Sequence, residues 1–243
     1  MTDPLGIVVA TVASLFLAAF TQGVTGFGFG MVAMALLPLF SDVRQVSIII
    51  GIFSLVTTSS VLLSVRRHFA WRDFLFPTLG MFAGIPLGVY ALVLLDGSVI
   101  RRLVGVAILI ACVQLLLPGG RTGRHISWPW GLAAGFTSGI LGGAFGIGGP
   151  PVIAYATMQD WEGPRYRAML CSFFATSNLY RIVIMLSAGL ITSEIAIRFA
   201  WGLPVVLGGV LVGIRMFDRL SRESFRKAVI VTLVVLALTL LLV

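Results

Sequence analysis

Residues 20–30 read FTQGVTGFGFG and residues 136–146 read FTSGILGGAFG. Set 116 positions apart, the two stretches share Phe20/Phe136, Thr21/Thr137, Gly23/Gly139, Gly26/Gly142, Phe29/Phe145 and Gly30/Gly146. Six identities in eleven positions exceed what glycine richness alone produces, so they mark an internal duplication. A weaker match at an offset of 125 pairs Gly84 with Gly209, Gly88 with Gly213 and Arg101 with Arg226. The longer second-half loop at 159–167 absorbs the extra nine residues. On this reading 1–120 is the first repeat and 121–243 the second, within one integral membrane domain.

The sequence around these stretches sets the fold class. The 243-residue chain is 58% hydrophobic and 11% charged, against about 25% charged in a soluble domain. Apolar runs fall at 5–20, 24–40, 46–64, 74–95, 99–117, 127–141, 145–158, 168–188, 196–214 and 228–243. Most approach the roughly 20 residues that carry a helix across a bilayer. These features predict an all-α polytopic membrane protein of two inverted repeats. Each repeat is a Gly-rich broken-helix hairpin plus spanning helices, with eight to ten membrane segments in all. No loop is long enough to hold an extramembrane catalytic domain.

The net charge of +8 comes almost wholly from arginine, with Lys227 the one lysine. In a soluble chain this excess would suggest nucleic acid; between apolar runs it fixes orientation by the positive-inside rule. The loops Arg66–Arg72, Arg121–Arg124 and Arg215–Lys227 are therefore expected in the cytoplasm, and both termini outside. Asp96–Arg102, the repeat counterpart of the last loop, then falls on the opposite face, as inverted halves require. Met1–Leu5 lacks the basic start of a signal peptide, so the first apolar run is expected to be retained. Cys112 and Cys171 lie in apolar runs, and His68 and His125 are isolated, so neither a metal site nor a cofactor is expected.

The candidate site has two parts. The hairpin glycines are Gly23, Gly26, Gly28 and Gly30 in one half and Gly139, Gly142, Gly143, Gly146, Gly148 and Gly149 in the other. Irregular backbone at membrane depth is tolerated where it lines a cavity, and a broken helix there offers N–H groups and a positive dipole end to an anion. Thr21, Gln22 and Thr25 add donors in the first half, as do Thr137 and Ser138 in the second. Close helix packing is the competing role for glycines at four-residue spacing, and Gly80, Gly84, Gly88 and Gly131, Gly135, Gly139 suit it, whereas the paired hairpin glycines recur at matched positions of the repeat, as a binding site does. The second part is Arg181, well inside an apolar run, with Ser177 and Asn178 on the same helical face. A cation at that depth costs at least about 2.5–3.5 kcal/mol, and no acidic residue lies deep enough to pair with it. Its planar fork suits an oxyanion; the competing role is a bond to backbone carbonyls of a broken helix. Arg44, Arg165 and Arg167 follow the hairpins and fit interfacial charge better than an anion funnel. The five tryptophans mostly flank segments, as an interfacial belt does.

GVTGFGFGMVAMALLP at 23–38 and GILGGAFGIGGPPVIAY at 139–155 resemble the sulfite exporter TauE/SafE family of membrane permeases. The resemblance covers essentially the whole chain, and GIGGPP at 146–151 is its most specific part. The first half departs from it, with Phe27 where the second half has Gly143. It implies a transporter, not an enzyme, exporting a small sulfur-containing anion such as sulfite, sulfoacetate or another organosulfonate. The implied setting is the bacterial inner (plasma) membrane, multi-pass. The expected partners are a small anionic substrate and the lipid bilayer, with a homodimer allowed and no nucleic acid. The rival readings are a cation-coupled carrier of a different small organic anion and a non-transporting membrane assembly factor. With neither Asp, Glu nor His at depth, export is expected to need no coupling ion.

Overall fold

A computed structural model describes residues 4–116, 127–159, 161, 163–216 and 231, 233, 234 and 238. The arginine loop at 121–124, the stretch 217–230 and most of the tenth apolar run lie outside the described residues. Among the described residues all regular structure is helical. The elements are α1 (Pro4–Thr25), α2 (Phe29–Leu36), α3 (Val43–Val65), α4 (Trp71–Leu94), α5 (Gly97–Leu116), α6 (Trp128–Phe145), α7 (Gly149–Met158), α8 (Gly163–Ser187) and α9 (Ser193–Met216). Of these, α1, α3, α4, α8 and α9 are long and apolar enough to cross a bilayer. Together they make an all-α, multi-pass membrane protein.

Both hairpins exist, and both break one helical turn later than the apolar runs suggest. Helix α1 continues through Gly23 and stops at Gly26, whose φ of 85° is left-handed, and Gly28 (φ 102°) begins α2. Likewise α6 continues through Gly142 and Gly143 and stops at Gly146, φ 72°. A positive φ is nearly free for glycine and strained for other residues, so the breaks sit at Gly26–Gly28 and Gly146–Gly148. The matching register across the breaks is thus 120, one turn away from the 116 of the sequence identities. It pairs Gly23 with Gly143, Gly26 with Gly146 and Gly28 with Gly148. Elsewhere local signals act as expected. Asp42 caps α3 by accepting from Arg44 N and Gln45 N at 3.0 and 3.1 Å, and Pro150 and Pro151 occupy the first turn of α7, where missing N–H groups cost little.

The glycines inside the helices let backbones touch. A Cβ on Gly80, Gly84 or Gly88 of α4 would run into the carbonyl oxygen of Leu132, Phe136 or Ile140 of α6, respectively. On the other side, a Cβ on Gly209 or Gly213 of α9 would meet the carbonyl of Phe16 or Phe20 of α1. In the 120 and 125 registers these contacts coincide: Gly84 on Phe136 corresponds to Gly209 on Phe16, and Gly88 on Ile140 to Gly213 on Phe20. Helix α4 thus packs closely on α6, and α9 on α1. Residue numbers rise together along both contacts, so α4 runs with α6 and α9 runs with α1. They also rise together between α4 and α8, from the Asp73–Arg165 pair to the Phe82–Tyr180 ring contact.

The outside is apolar. Leu5, Leu75, Leu79, Leu87, Leu179 and Leu186 are exposed, as are Trp71, Trp128, Trp130 and Trp201. Trp161 departs from the expected belt: it is buried, faces Tyr155 edge-on and lies under the Arg165 guanidinium at 5.8 Å. The inside holds Arg181, the largest fully buried side chain.

Candidate functional site

The two breaks meet. Gly30, just inside α2, lies so close to the Gly146 carbonyl oxygen that no Cβ fits between them. Beside this contact is a cavity of ≈ 40 Å³. Gln22, Phe27, Gly28, Gly30 and Met31 line it from the first hairpin, and Gly142, Gly146, Ile147, Gly148 and Gly149 from the second. Ser54 and Thr58 of α3 and Phe174, Ser177 and Asn178 of α8 complete the wall. A water needs about 10–15 Å³ by this measure, so the space suits three or four small groups.

Helix starts at both breaks carry the N–H groups nearest the lining. The first N–H of α2, from Phe29, is taken by Gln22 Oε1 at 3.1 Å, while Gln22 Nε2 donates to Gly26 O at 3.0 Å and ties the turn together. The next two N–H groups, of Gly30 and Met31, have no acceptor among the described residues; the ordinary helix bonds resume at Val32, which donates to Gly28 O. In α7, Pro150 and Pro151 carry no N–H, Val152 N donates to Ser138 Oγ at 2.9 Å, and Gly149 N is left over. Three unengaged N–H groups from two helix starts thus belong to residues that line one cavity, where each helix end adds about half a positive charge. Nor does any hydrogen bond within the described residues engage the side chains of Ser177 and Asn178. Among the described residues no acidic side chain lines the space.

Arg181 stands one layer behind. Its Nε donates to Gly143 O at 3.1 Å and its Nη2 to Ser47 Oγ at 2.6 Å; Ser47 in turn donates to Ala144 O at 2.8 Å. Nη1 is buried and has no partner. It lies against Gly51 and Gly146, where a Cβ would sit 3.0 and 3.2 Å from it. Two of the three nitrogens therefore hold the end of α6, and the third faces the backbone that lines the cavity.

The structure thus brings Gln22, Gly28, Gly30, Gly142, Gly146, Gly148, Gly149, Ser177 and Asn178 to one cavity, sets Arg181 just behind it, and sends the other expected residues elsewhere. Gly23 packs on α9, Gly139 and Gly143 pack on α4, and Gly26 faces Arg167. Thr21 donates to Leu17 O at 2.8 Å, Thr25 to Thr21 O at 2.8 Å, and Thr137 points outward and donates to Ala133 O at 2.8 Å. Ser138 is buried as a cap for α7. The arginines after the hairpins are engaged: Arg44 with Leu95 O, Arg165 with Asp73 at 2.5 and 2.8 Å, and Arg167 with Gly23 O at 3.0 Å. Ser54, Thr58 and Ser47 escaped the sequence reading. Their signal was present, since Ser47, Gly51, Ser54 and Thr58 follow one another at spacings of four, three and four, a single stripe of α3.

The family model described as "Sulfite exporter TauE/SafE" matches residues 11–240. A protein of Cupriavidus necator, described as a probable sulfite/organosulfonate exporter TauE, is 25% identical over 221 residues, covering 88% of this chain and 86% of that protein. No solved structure matches the chain.

Proposed function

The chain belongs to the sulfite exporter TauE/SafE family, and from that premise we propose that it exports a small sulfur-containing anion across the bacterial inner membrane. The observation that carries this reading is that Gly30, Met31 and Gly149, whose N–H groups are unengaged among the described residues, line one cavity together with hydroxyls and two side-chain amides and no carboxylate. Such a lining stabilises negative charge and leaves a cation without a full counter-charge. The Cupriavidus necator relative is named for sulfite and organosulfonates, and the same class of substrate is proposed here. Membership of a family named for export supports reading the chain as a transporter rather than an enzyme.

The helix directions support alternating access. Short links reverse the chain from α3 to α4 and from α8 to α9. With α8 running along α4, it runs against α3, its counterpart in the other repeat. The same reasoning sets α9 against α4 and α6 against α1. Inverted halves with a site between their broken helices are a common transporter design. A membrane potential negative inside drives each exported negative charge outward by about 2.3 kcal/mol per 100 mV, so no coupling ion is required.

The test is sulfite flux from proteoliposomes with the potential clamped by K⁺ and valinomycin, with Na⁺ and proton gradients imposed separately. Flux that follows the potential is the expected result. Flux that follows a Na⁺ or proton gradient and ignores the potential would replace the uniporter with a coupled carrier, and no sulfite flux under any condition would refute the substrate class.

A further inference from the structure

Arg167 and Arg181 both lie on α8, fourteen residues or about 21 Å apart along the helix. Each donates to a carbonyl near the end of a different broken helix. Arg167 Nη2 bonds Gly23 O at 3.0 Å in α1, and Arg181 Nε bonds Gly143 O at 3.1 Å in α6. Gly23 and Gly143 are the same position in the 120-residue register that aligns the two breaks. One helix therefore grips both hairpins at matching atoms.

The grip bears on the sign of the site. At each break an outgoing helix presents its last carbonyls, with about half a negative charge, next to an incoming helix that presents about half a positive charge. Left alone, the two ends largely cancel, and exposed carbonyl ends of broken helices coordinate cations in other transporters. A guanidinium on each outgoing end occupies a carbonyl and brings positive charge to it. Cys171, also on α8, lies with its Sγ 3.6 Å from Gly26 O, adding a weak donor at the first break. At the second, the unpartnered Nη1 of Arg181 directs its share of charge at Gly146. We propose that Arg167 and Arg181 are positioning residues that set the charge preference of the site, making two broken-helix hairpins select an anion where the same backbone would otherwise accept a cation. The inference rests on the anion-site reading above.

The test uses the purified full-length chain in detergent, titrated separately with sulfite and with Na⁺ against a choline background, with heat released and thermal unfolding as readouts. Arg167→Gln and Arg181→Gln should each weaken sulfite binding at least tenfold and gain a Na⁺-dependent stabilisation that the parent chain lacks. Arg167→Lys and Arg181→Lys keep the charge and should bind sulfite within about tenfold of the parent, with no response to Na⁺. Gln variants that bind sulfite as the parent does would overturn the proposal. So would Gln variants that lose sulfite without gaining a Na⁺ response, since that pattern marks mere support of the fold. If the Gln variants fail to fold, the Lys pair decides: folded Lys variants without sulfite binding would overturn a role based on charge. A parent chain that binds no sulfite would instead remove the anion site itself, and the proposal with it.

Discussion

Gly142→Ala separates the cavity from the fold, because it should move binding and stability in opposite directions. A Cβ built on Gly142 lies 3.4 Å from Gly148 Cα and 3.8 Å from Ser177 Oγ, ordinary contact distances. The methyl therefore fits without moving the backbone, but it projects into a space of ≈ 40 Å³. It displaces about one water-sized group of 10–15 Å³, roughly a third of the room. An anion seated there must give up at least one hydrogen bond, which for a charged partner is worth about 1.5–3 kcal/mol, or about ten- to a hundredfold in affinity. Meanwhile Gly142 is helical, and Gly to Ala inside a helix stabilises by about 0.5–1 kcal/mol; so near the end of α6 the gain belongs at the lower figure. The assay pairs calorimetric titration of sulfite with thermal unfolding of the same sample. A weaker Kd with an equal or higher Tm is the expected result. Wild-type affinity in a folded Gly142→Ala protein would show that the anion binds elsewhere and refute the site described here.

Three other expectations follow from the geometry. Taurine should compete for the site at least about tenfold more weakly than sulfite, because its ammonium meets no carboxylate in the lining and a buried unpaired charge is costly; equal competition would show that the lining is incomplete. Gly84→Ala should destabilise by about 1–3 kcal/mol, since its Cβ runs into the Phe136 carbonyl, whereas Gly208→Ala, with nothing within 4 Å of its Cβ, should be neutral or slightly stabilising. Thermal unfolding of the two variants side by side checks the contrast. A cysteine at Arg67 should react with an impermeant maleimide only from the cytoplasmic side; labelling in intact spheroplasts from the outside would reverse the orientation drawn from the arginine loops.

The sequence carried most of the helix pattern and the pairing of the hairpins, because apolar length and glycine spacing are local properties. It also carried the packing face of α4, where Gly80, Gly84 and Gly88 recur every turn. The position of the breaks was less legible. Identity between the halves is kept at 116, whereas the chain turns in the 120 register. Glycines such as Gly23 and Gly143 read like hinges yet serve helix contact, and only φ distinguishes the two uses. The depth of Arg181 was plain from its apolar neighbours, but its partners were not, since Gly143 contributes a backbone carbonyl and every residue has one. Ser54 and Thr58 were passed over for a different reason: their stripe is short, and α3 reads as an ordinary span.

The packing of α9 on α1, and of α6 on α4, has a consequence for how the protein is made. The face of α1 around Gly23 is covered by α9 at Gly213, about 190 residues later in the chain. At a synthesis rate of about 5–20 residues per second, α1 waits on the order of ten to forty seconds in the bilayer before its partner emerges. During that time its close-packing surface faces lipid or another nascent chain. Helix α4 is completed sooner, once α6 follows it from the ribosome. The order of biogenesis is thus built into the pairing: the junction between α4 and α6 can close before the one between α1 and α9. A chain that stops before α9 leaves the Gly23 face of α1 uncovered.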